Sequence, residues 1–157
     1  CWSFGPYNYG RFVELAGGKN FASTLENAFS VTLSMEGVID ADPDVIIGTG
    51  ANWAEARPEV TSTLLGYEGD PAVNAEKLNA LAARPGFKDL RAVQDGRYHS
   101  IYHQFYNSPY HFVAFQQIAM WLYRDEFEDL DPQATMDELH DTFLPYDNSG
   151  QFWVSMN

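Results

Sequence analysis

The sequence predicts an α/β layer fold with a mostly parallel sheet. A short β-branched run, Val45-Ile46-Ile47, directly follows a segment with helical periodicity. Such a run is typical of a central strand that is covered on both faces. A second strand is expected over residues 98–102, after a turn at Gln94-Asp95-Gly96. Helical patterns lie between and after these two strands, as they do in layered folds with parallel strands.

The helix before the first strand is indicated by Met35, Val38 and Ile39, which recur at helical spacing. Asp42-Pro43-Asp44 ends this helix because a proline disfavours the α region in the residue before it. Open α/β sheets place their ligands at the carboxyl ends of the strands. Trp53 follows the carboxyl end of the first strand closely, so it is a candidate contact for a ligand.

Residues that typically start and stop helices predict four further helices and one shorter helical turn. Asp70-Pro71 and Asp131-Pro132 are each a helix N-cap followed by proline at the first helical position, and Ser108-Pro109 has the same form. A loop with at most one helical turn, a candidate flap over a ligand, is expected over residues 54–69, and the apolar tail 151–155 should pack on the body. The predicted helices are 11–16, 70–83, 108–123 and 131–143, and the shorter turn is 87–93.

Composition limits the function classes. At 157 residues the chain fits one domain, residues 1–157. Its formal net charge of -13 excludes nucleic acid as a partner, because nine Lys and Arg cannot form a basic face. No apolar run approaches the roughly 20 residues that cross a membrane. The lone cysteine, Cys1, rules out an internal disulfide.

Three segments of the chain carry a family resemblance. They are Glu14-Leu-Ala-Gly-Gly-Lys-Asn-Phe-Ala22, Asp42-Pro-Asp-Val-Ile-Ile47 and Phe87-Lys-Asp-Leu-Arg-Ala-Val-Gln-Asp-Gly-Arg-Tyr98. In this order they resemble segments of the class III periplasmic solute-binding proteins, which serve iron-siderophore, haem and cobalamin uptake transporters. In that family the first segment opens the second lobe, and a tryptophan usually stands at the position of Phe87.

The resemblance implies a three-layer α/β/α Rossmann-like lobe, the second (C-terminal) of two, with the first lobe and the linking helix lacking. It implies a substrate-binding component of an ABC uptake transporter rather than an enzyme. The expected ligand is a ferric siderophore, haem or cobalamin, with no separate cofactor. The expected partner is the transporter permease. The protein would then be periplasmic or extracytoplasmic, meeting the membrane only through the permease or a lipid anchor on the absent N-terminal part.

Candidate ligand-binding residues lie where predicted strands end and where turns interrupt the chain. His103 and Tyr106 follow the second strand, and Trp53 follows the first. Tyrosine and tryptophan suit a large planar ligand, because each offers a flat face and one polar group. Packing in the core is the competing explanation for each aromatic. The full candidate set is Tyr7, Tyr9, Trp53, His103, Tyr106 and Asn107.

Glu36 lies near the start of its predicted helix, where the helix dipole favours a carboxylate. That explanation needs no partner. In the resembling family an acid at this place in the second lobe docks onto arginines of the permease. The resemblance therefore makes Glu36 the candidate permease-docking residue.

Two other functions stay open at this point. A small metal-dependent hydrolase could use His99, His103 and His111, although strand positions four apart stand about 13 Å apart at Cα. We expect His99 to be an ordinary, partly exposed histidine. The chain has no nucleophile-elbow, phosphate-loop or dinucleotide motif. The third possibility is a structural interaction domain that buries its aromatic edge against a partner.

Overall fold

The structure is a computed structural model that describes residues 2–25, 28–55 and 60–156. The α-helices in this part of the chain are α1 (Asn8–Leu15), α2 (Phe21–Leu25), α3 (Met35–Ala41), α4 (Pro71–Ala82), α5 (Arg91–Gln94), α6 (His111–Leu122) and α7 (Pro132–Phe143). The strands are β1 (Trp2–Phe4), β2 (Ser30–Thr32), β3 (Ile46–Gly50), β4 (Tyr98–Tyr102) and β5 (Trp153–Ser155). Short 3-10 segments cover Asn52–Glu55 and His103–Asn107.

The main sheet has the order β3-β4-β5, with β3 and β4 parallel and β5 antiparallel to β4. β1 and β2 form a separate antiparallel pair. The α/β fold class is confirmed. The prediction that residues 45–47 form the central strand is wrong, because β4 holds that position and β3 pairs only with β4 among the described residues. Ile46 and Ile47 are accordingly only partly buried.

Two cores lie on opposite faces of this sheet and give it three layers. Neighbouring strand residues alternate between the cores: Ile47 packs on the side of α1, α6 and α7, whereas Ile46 packs on the side of α3, α4 and α5. Ile101 and Tyr98 divide in the same way. This alternation is what a pleated strand covered on both faces requires.

The helix start signals are largely confirmed. Asp70 accepts hydrogen bonds from the backbone N–H groups of Ala72 and Val73, at 2.8 and 3.2 Å, as the N-cap of α4. Asp131 caps α7 by the same kind of bond to Ala134, at 2.9 Å. The predicted start of α6 at Ser108-Pro109 is two residues early. Residues 108–110 form a turn first, and the Tyr110 N–H donates to Ser108 Oγ at 3.3 Å.

Two other predicted helical segments differ from the structure in their bounds, whereas the predicted tail and loop agree with it. α1 begins three residues earlier than expected, at Asn8, and α5 (Arg91–Gln94) overlaps only the last three residues of the predicted turn at 87–93. The tail packs as expected, with Phe152 buried and the next three residues forming β5. In the predicted loop, residues 60–69 contain no helix. The proposed flap falls in part on residues 56–59, which lie outside the described residues.

Candidate functional site

The carboxyl ends of β3 and β4 lie side by side, and this arrangement positions the candidate site. In the parallel register Gly50 is opposite Tyr102. Both strands then lead directly into 3-10 segments, which carry Trp53 and His103. The two side chains, 50 residues apart in sequence, are thereby brought to the same edge of the sheet.

His103 is surrounded by aromatic rings. The centroid of its imidazole lies 4.9 Å from that of Trp53 and 5.2 Å from that of Tyr106. Phe4 and Tyr9 follow at 6.0 and 6.4 Å. We name these five residues the His103 cluster. The sequence prediction that Trp53, His103 and Tyr106 share one edge of the sheet agrees with this geometry.

The polar contact of His103 fixes its ring. Its Nδ1 lies 3.2 Å from the hydroxyl oxygen of Thr49, on the neighbouring strand. Burial lowers the pKa of His103 from its usual value, because desolvation penalises the charged imidazolium. The ring is therefore neutral near pH 7. Because Thr49 occupies Nδ1, Nε2 is the nitrogen that can meet a ligand.

Tyr9 belongs to the cluster but lies behind it. We expected it at the cleft, whereas its side chain is only 4% exposed. Its hydroxyl donates a hydrogen bond to the carbonyl oxygen of Tyr102, and burial followed by the nearby Tyr102 raises the pKa of Tyr9 well above its usual value. Its ring also packs on Phe12, with 5.5 Å between centroids. Tyr9 therefore supports the cluster from within and is not a surface for ligand.

An open groove of about 640 Å³ adjoins the cluster, and Tyr106 lines both. Tyr7 and Phe29 form one wall, with stacked rings 6.4 Å apart, and remain 46% and 56% exposed. We name this feature the aromatic groove. It is lined by Tyr7, Asn8, Arg11, Phe12, Leu15, Phe29, Tyr106, His111, Phe112 and Phe115.

The polar groups of the aromatic groove are few. Arg11 brings the positive charge, and within the described part of the chain its guanidinium forms no ion pair, since the two ion pairs there both belong to Arg91. Asn8 Oδ1 accepts the N–H of Tyr9 at 2.7 Å, and His111 Nδ1 is 3.0 Å from the Ser108 carbonyl oxygen. A mostly apolar concavity with a few polar groups is typical of small-molecule sites.

Sequence reasoning missed part of this groove. Asn8, Arg11, Phe12 and Leu15 have the i, i+3, i+4, i+7 spacing of one helix face, but the helix was predicted to begin at residue 11. The prediction therefore left out the first turn of α1, which begins at Asn8 and contributes to the groove. Phe112 and Phe115 of α6 also line the groove, and Phe112 remains 42% exposed. Asn107 is exposed and makes no ring contact or hydrogen bond within the His103 cluster as described.

The three histidines of the hydrolase alternative do not converge. His99, expected to be partly exposed, is buried: it stacks on Trp121 at 4.5 Å and its Nδ1 lies 2.9 Å from Ser155 Oγ. β5 and α6 cover it, which sequence periodicity could not show. His111 is exposed at the start of α6. The described residues hold no group of three or more His, Cys, Asp or Glu able to bind a metal ion.

Glu36 is exposed at the first turn of α3, and no described Lys or Arg forms an ion pair with it. The neighbouring Met35 packs against Gly86, in the turn before Phe87. Phe87 in turn packs on Tyr98, the first residue of β4, at 6.2 Å. These contacts hold the first turn of α3 against the body of the protein, and the docking role of Glu36 stays a prediction.

None of the helices in the described part of the chain has the length and apolar character of a membrane span. Searches found no matching family model and no matching curated protein.

Two solved structures share the architecture. A TroA-like periplasmic binding protein, FepB, from Veillonella parvula superimposes with a TM-score of 0.92 at 31% identity, covering 99% of this chain. A periplasmic solute binding protein from Veillonella parvula DSM 2008 superimposes at 0.60 with 14% identity over 93% of this chain, and supports the fold alone. The chain spans 44% and 40% of their lengths. The family resemblance found in the sequence is confirmed, and a partial lobe accounts for the coverage.

Proposed function

Because 99% of this chain superimposes on part of a TroA-like periplasmic binding protein at 31% identity, we propose that it is the ligand-binding second lobe of an ABC uptake transporter's substrate-binding component. The proposed ligand is an iron-siderophore or a related metal chelate such as haem or cobalamin. The ligand would be held between this lobe and a first lobe and then delivered to a membrane permease. The proposed location is periplasmic or extracytoplasmic.

The observation that carries the proposal is the open aromatic surface at the carboxyl edge of the sheet. The His103 cluster and the aromatic groove share Tyr106 and lie where α/β folds place ligands. A contiguous patch of exposed apolar rings is unusual on the surface of a monomeric protein and marks a binding region. A second lobe closing over this edge would cover them and exclude water.

The chemistry of this surface suits a bulky chelate. Tyr7, Phe29 and Phe112 offer flat apolar faces for aromatic or macrocyclic parts of a ligand. Arg11 supplies a positive charge among these rings, which suits an anionic complex. His103 Nε2 could hydrogen-bond to the ligand or ligate its metal, as a neutral imidazole can.

We assign docking to the permease to Glu36. Glu36 is exposed and free of intramolecular ion pairs with described residues, as a docking carboxylate must be. An acid on the first lobe would complete the pair, as the family resemblance implies.

A fluorescence titration tests the binding function. The 157-residue chain is titrated with a panel of ferric siderophores, haem and cobalamin, and quenching of tryptophan emission is followed. We expect saturable quenching by one class of chelate and weaker binding after Trp53→Leu. No saturable quenching by any member of the panel at millimolar concentration would contradict the proposal.

The matched control is Trp153→Leu. Trp153, in β5, is partly buried like Trp53, but its ring packs near Phe105 and it lies outside both the His103 cluster and the groove lining. It should lose its own emission and keep the affinity of the unmodified chain. Equal loss of affinity in both variants would show that the quenching reports general surface adsorption.

A further inference from the structure

The outer edge of β5, which faces away from β4, carries backbone groups without partners among the described residues. Backbone hydrogen bonds join Phe152 and Met156 to β4, at 2.7 and 3.0 Å. In an antiparallel pair, the backbone N–H and C=O groups of successive residues point alternately towards the partner strand and away from it. Trp153 and Ser155, which alternate with these residues, therefore direct their N–H and C=O groups outwards.

A short bridge already pairs one end of this edge. Gln151 faces outwards by the same alternation and forms an antiparallel bridge with Gly66. The Gly66 N–H donates to the Gln151 carbonyl oxygen at 2.8 Å, and the Gln151 N–H donates to the Gly66 carbonyl oxygen at 3.0 Å. Across the described ranges, no backbone hydrogen bond reaches the outward groups of Trp153 or Ser155. An added strand would form the same pair of bonds at each of these two residues.

The sequence around β5 lacks the features that usually protect a strand edge. Natural proteins block pairing at exposed edges with charged side chains, especially lysine, and with proline. Residues 148–157 contain no proline and no charged side chain. Trp153 and Ser155 are only partly buried. The edge is therefore open to an extended backbone that pairs with it.

A cavity of about 190 Å³ borders this edge, between α7 and residues 150–153. Gln133 and Asp137 of α7 line it together with Asn148. The Oδ1 atom of Asp137 accepts hydrogen bonds from Gln133 Nε2 at 2.9 Å and from Asn148 Nδ2 at 2.6 Å, which fixes the carboxylate. Its other oxygen, Oδ2, accepts no hydrogen bond from the described residues. A carboxylate held in this way suits a cationic side chain, because charge strengthens the hydrogen bond between them.

The surroundings of the cavity are strongly acidic. Residues 125–157 contain nine Asp and Glu and no Lys or Arg, so they carry most of the formal net charge of -13. Glu138 and Asp141, also on α7, are exposed. Such a surface attracts cationic partners and repels anionic ones. A second copy of this chain would bring the same negative charge to the edge and is therefore a poor occupant.

We infer that the outer edge of β5 binds an extended, basic peptide segment of a partner protein. The peptide adds a strand beside β5 through backbone hydrogen bonds to Trp153 and Ser155, and it places a Lys or Arg side chain in the cavity at Asp137. In this mode of recognition, backbone bonds supply affinity and side-chain pockets supply specificity. The edge is separate from the His103 cluster and the aromatic groove, so the inference does not rest on the proposed chelate-binding function.

Fluorescence anisotropy tests the binding of such a peptide to the 157-residue chain. The probe is a short fluorescein-labelled peptide in which lysine alternates with threonine and valine, and the control peptide has glutamate in place of every lysine. We expect saturable binding of the lysine peptide and binding at least about tenfold weaker for the glutamate peptide. Failure of the lysine peptide to bind at millimolar chain concentration, or equal binding of the two peptides, would overturn the inference.

Backbone methylation separates strand addition from adsorption to an acidic surface. Two versions of the lysine peptide carry N-methyl groups on opposite sets of alternate amides. Only one of these sets faces β5 in an added strand, so one version should lose binding and the other should keep it. Loss of binding in both versions, or in neither, would overturn the inference.

Variants of the chain locate the contact. Ser155→Pro removes an outward N–H and is compatible with an edge strand, whereas Ser155→Ala removes the same hydroxyl, 2.9 Å from His99 Nδ1, and keeps the N–H. We expect Ser155→Pro to weaken binding of the lysine peptide about threefold to tenfold and Ser155→Ala to leave it unchanged. Asp137→Asn should weaken it about twofold to fivefold, and Glu138→Gln, at the neighbouring exposed acid, should not. Equal affinities in a correctly folded Ser155→Pro variant, checked by near-ultraviolet circular dichroism, would overturn the inference.

Hydrogen exchange of the unmodified chain, followed by nuclear magnetic resonance, needs no variant. The amide protons of Trp153 and Ser155 should exchange more slowly once the lysine peptide is bound, whereas that of Val154, which faces β4, should keep its rate. Unchanged exchange at Trp153 and Ser155 in the saturated complex would overturn the inference. Protection of these two amides that rises with chain concentration in the absence of peptide would assign the edge to a second copy and would also overturn it.

Discussion

The imidazole of His103 lies against the indole of Trp53, with ring centroids 4.9 Å apart and the ring planes at 68°. The pairing follows from strand order, because Gly50 and Tyr102, opposite each other in the parallel register, end the two strands that lead to these residues. An edge-to-face contact of this kind holds both rings in defined positions. A ligand arriving at this edge would meet a surface that is already formed.

The bond between Thr49 and His103 predicts a positioning role for Thr49. Thr49→Val keeps the shape of the side chain but removes the hydroxyl that lies 3.2 Å from Nδ1. We expect the affinity for the preferred chelate to fall about threefold to tenfold, which corresponds to the roughly 0.5–1.5 kcal/mol of one hydrogen bond. Fluorescence titration measures it. Thr24→Val is the control, because that exposed hydroxyl donates to Phe21, and equal affinities would contradict the role.

Because His99 is buried, we expect the free energy of unfolding to decrease at acidic pH. Burial, followed by the nearby Arg97, lowers its pKa to about 4, against 6.5 for the free group. The unfolded chain therefore takes up a proton between pH 6.5 and 4 while the folded chain does not. The stabilisation is complete above pH 6.5 and is lost as the pH falls towards 4, by about 3 kcal/mol in the free energy of unfolding.

Urea unfolding at several values of pH between 7.5 and 4.5 measures this effect. Acidic residues also contribute to the slope, so variants are compared rather than absolute values. His99→Phe should show a smaller loss of stability on acidification than the unmodified chain. His111→Phe, which changes an exposed histidine, should not. The same slope in all three proteins would contradict the assignment.

We expect replacement of Glu36 to impair docking to the permease without impairing folding. Glu36→Ala should hardly change stability, because the carboxylate is exposed and exposed ion pairs contribute only about 0–1 kcal/mol in any case. In the full-length receptor with its permease, uptake should slow. Glu138→Ala, at another exposed acid, is the control. Normal transport by the Glu36 variant, with the first-lobe acid also neutralised and receptor abundance unchanged, would remove the docking role.

The exposed rings of the aromatic groove predict self-association of this lobe. Phe29 and Phe112 are 56% and 42% exposed on the groove's walls, and apolar surface of this kind tends to become buried between copies. Sedimentation velocity should show a concentration-dependent coefficient that Phe29→Ser with Phe112→Ser reduces. Phe143→Ser, at a ring 73% exposed outside the groove, should not reduce it. A monomer at all concentrations would contradict the prediction.

Local signals predicted the elements that begin with a cap or consist of a clear strand run. The starts of α4 and α7 were predicted correctly from Asp70 and Asp131, because an N-cap residue forms its hydrogen bonds within one helical turn. β4 matched the expected residues 98–102. β1, β2 and α2 were missed, since runs of three to five residues carry too little periodicity to be recognised.

The place of a strand in the sheet and the burial of a side chain depend on tertiary packing and could not be predicted from the sequence. An apolar run such as Val45-Ile46-Ile47 is equally compatible with a central strand and with an edge strand covered by helices. Tyr9 is an aromatic in a turn region by sequence, yet its hydroxyl reaches a carbonyl 93 residues away, at Tyr102. Trp53, His103 and Tyr106 could be predicted to lie together because parallel strands share one carboxyl edge.

Nuclear magnetic resonance of the ¹⁵N-labelled 157-residue chain, titrated with the Ga³⁺ form of the preferred siderophore, tests the central claim most directly. We expect fast-exchange shifts for the Trp53 indole and for the backbones of Tyr7, Phe29 and Tyr106. Trp121, stacked on His99, should not shift. The dissociation constant should be weaker than about 1 μM, because this lobe supplies one wall of the cleft. Shifts confined to other residues, or none at millimolar ligand, would contradict the claim that this edge is half of a chelate-binding cleft.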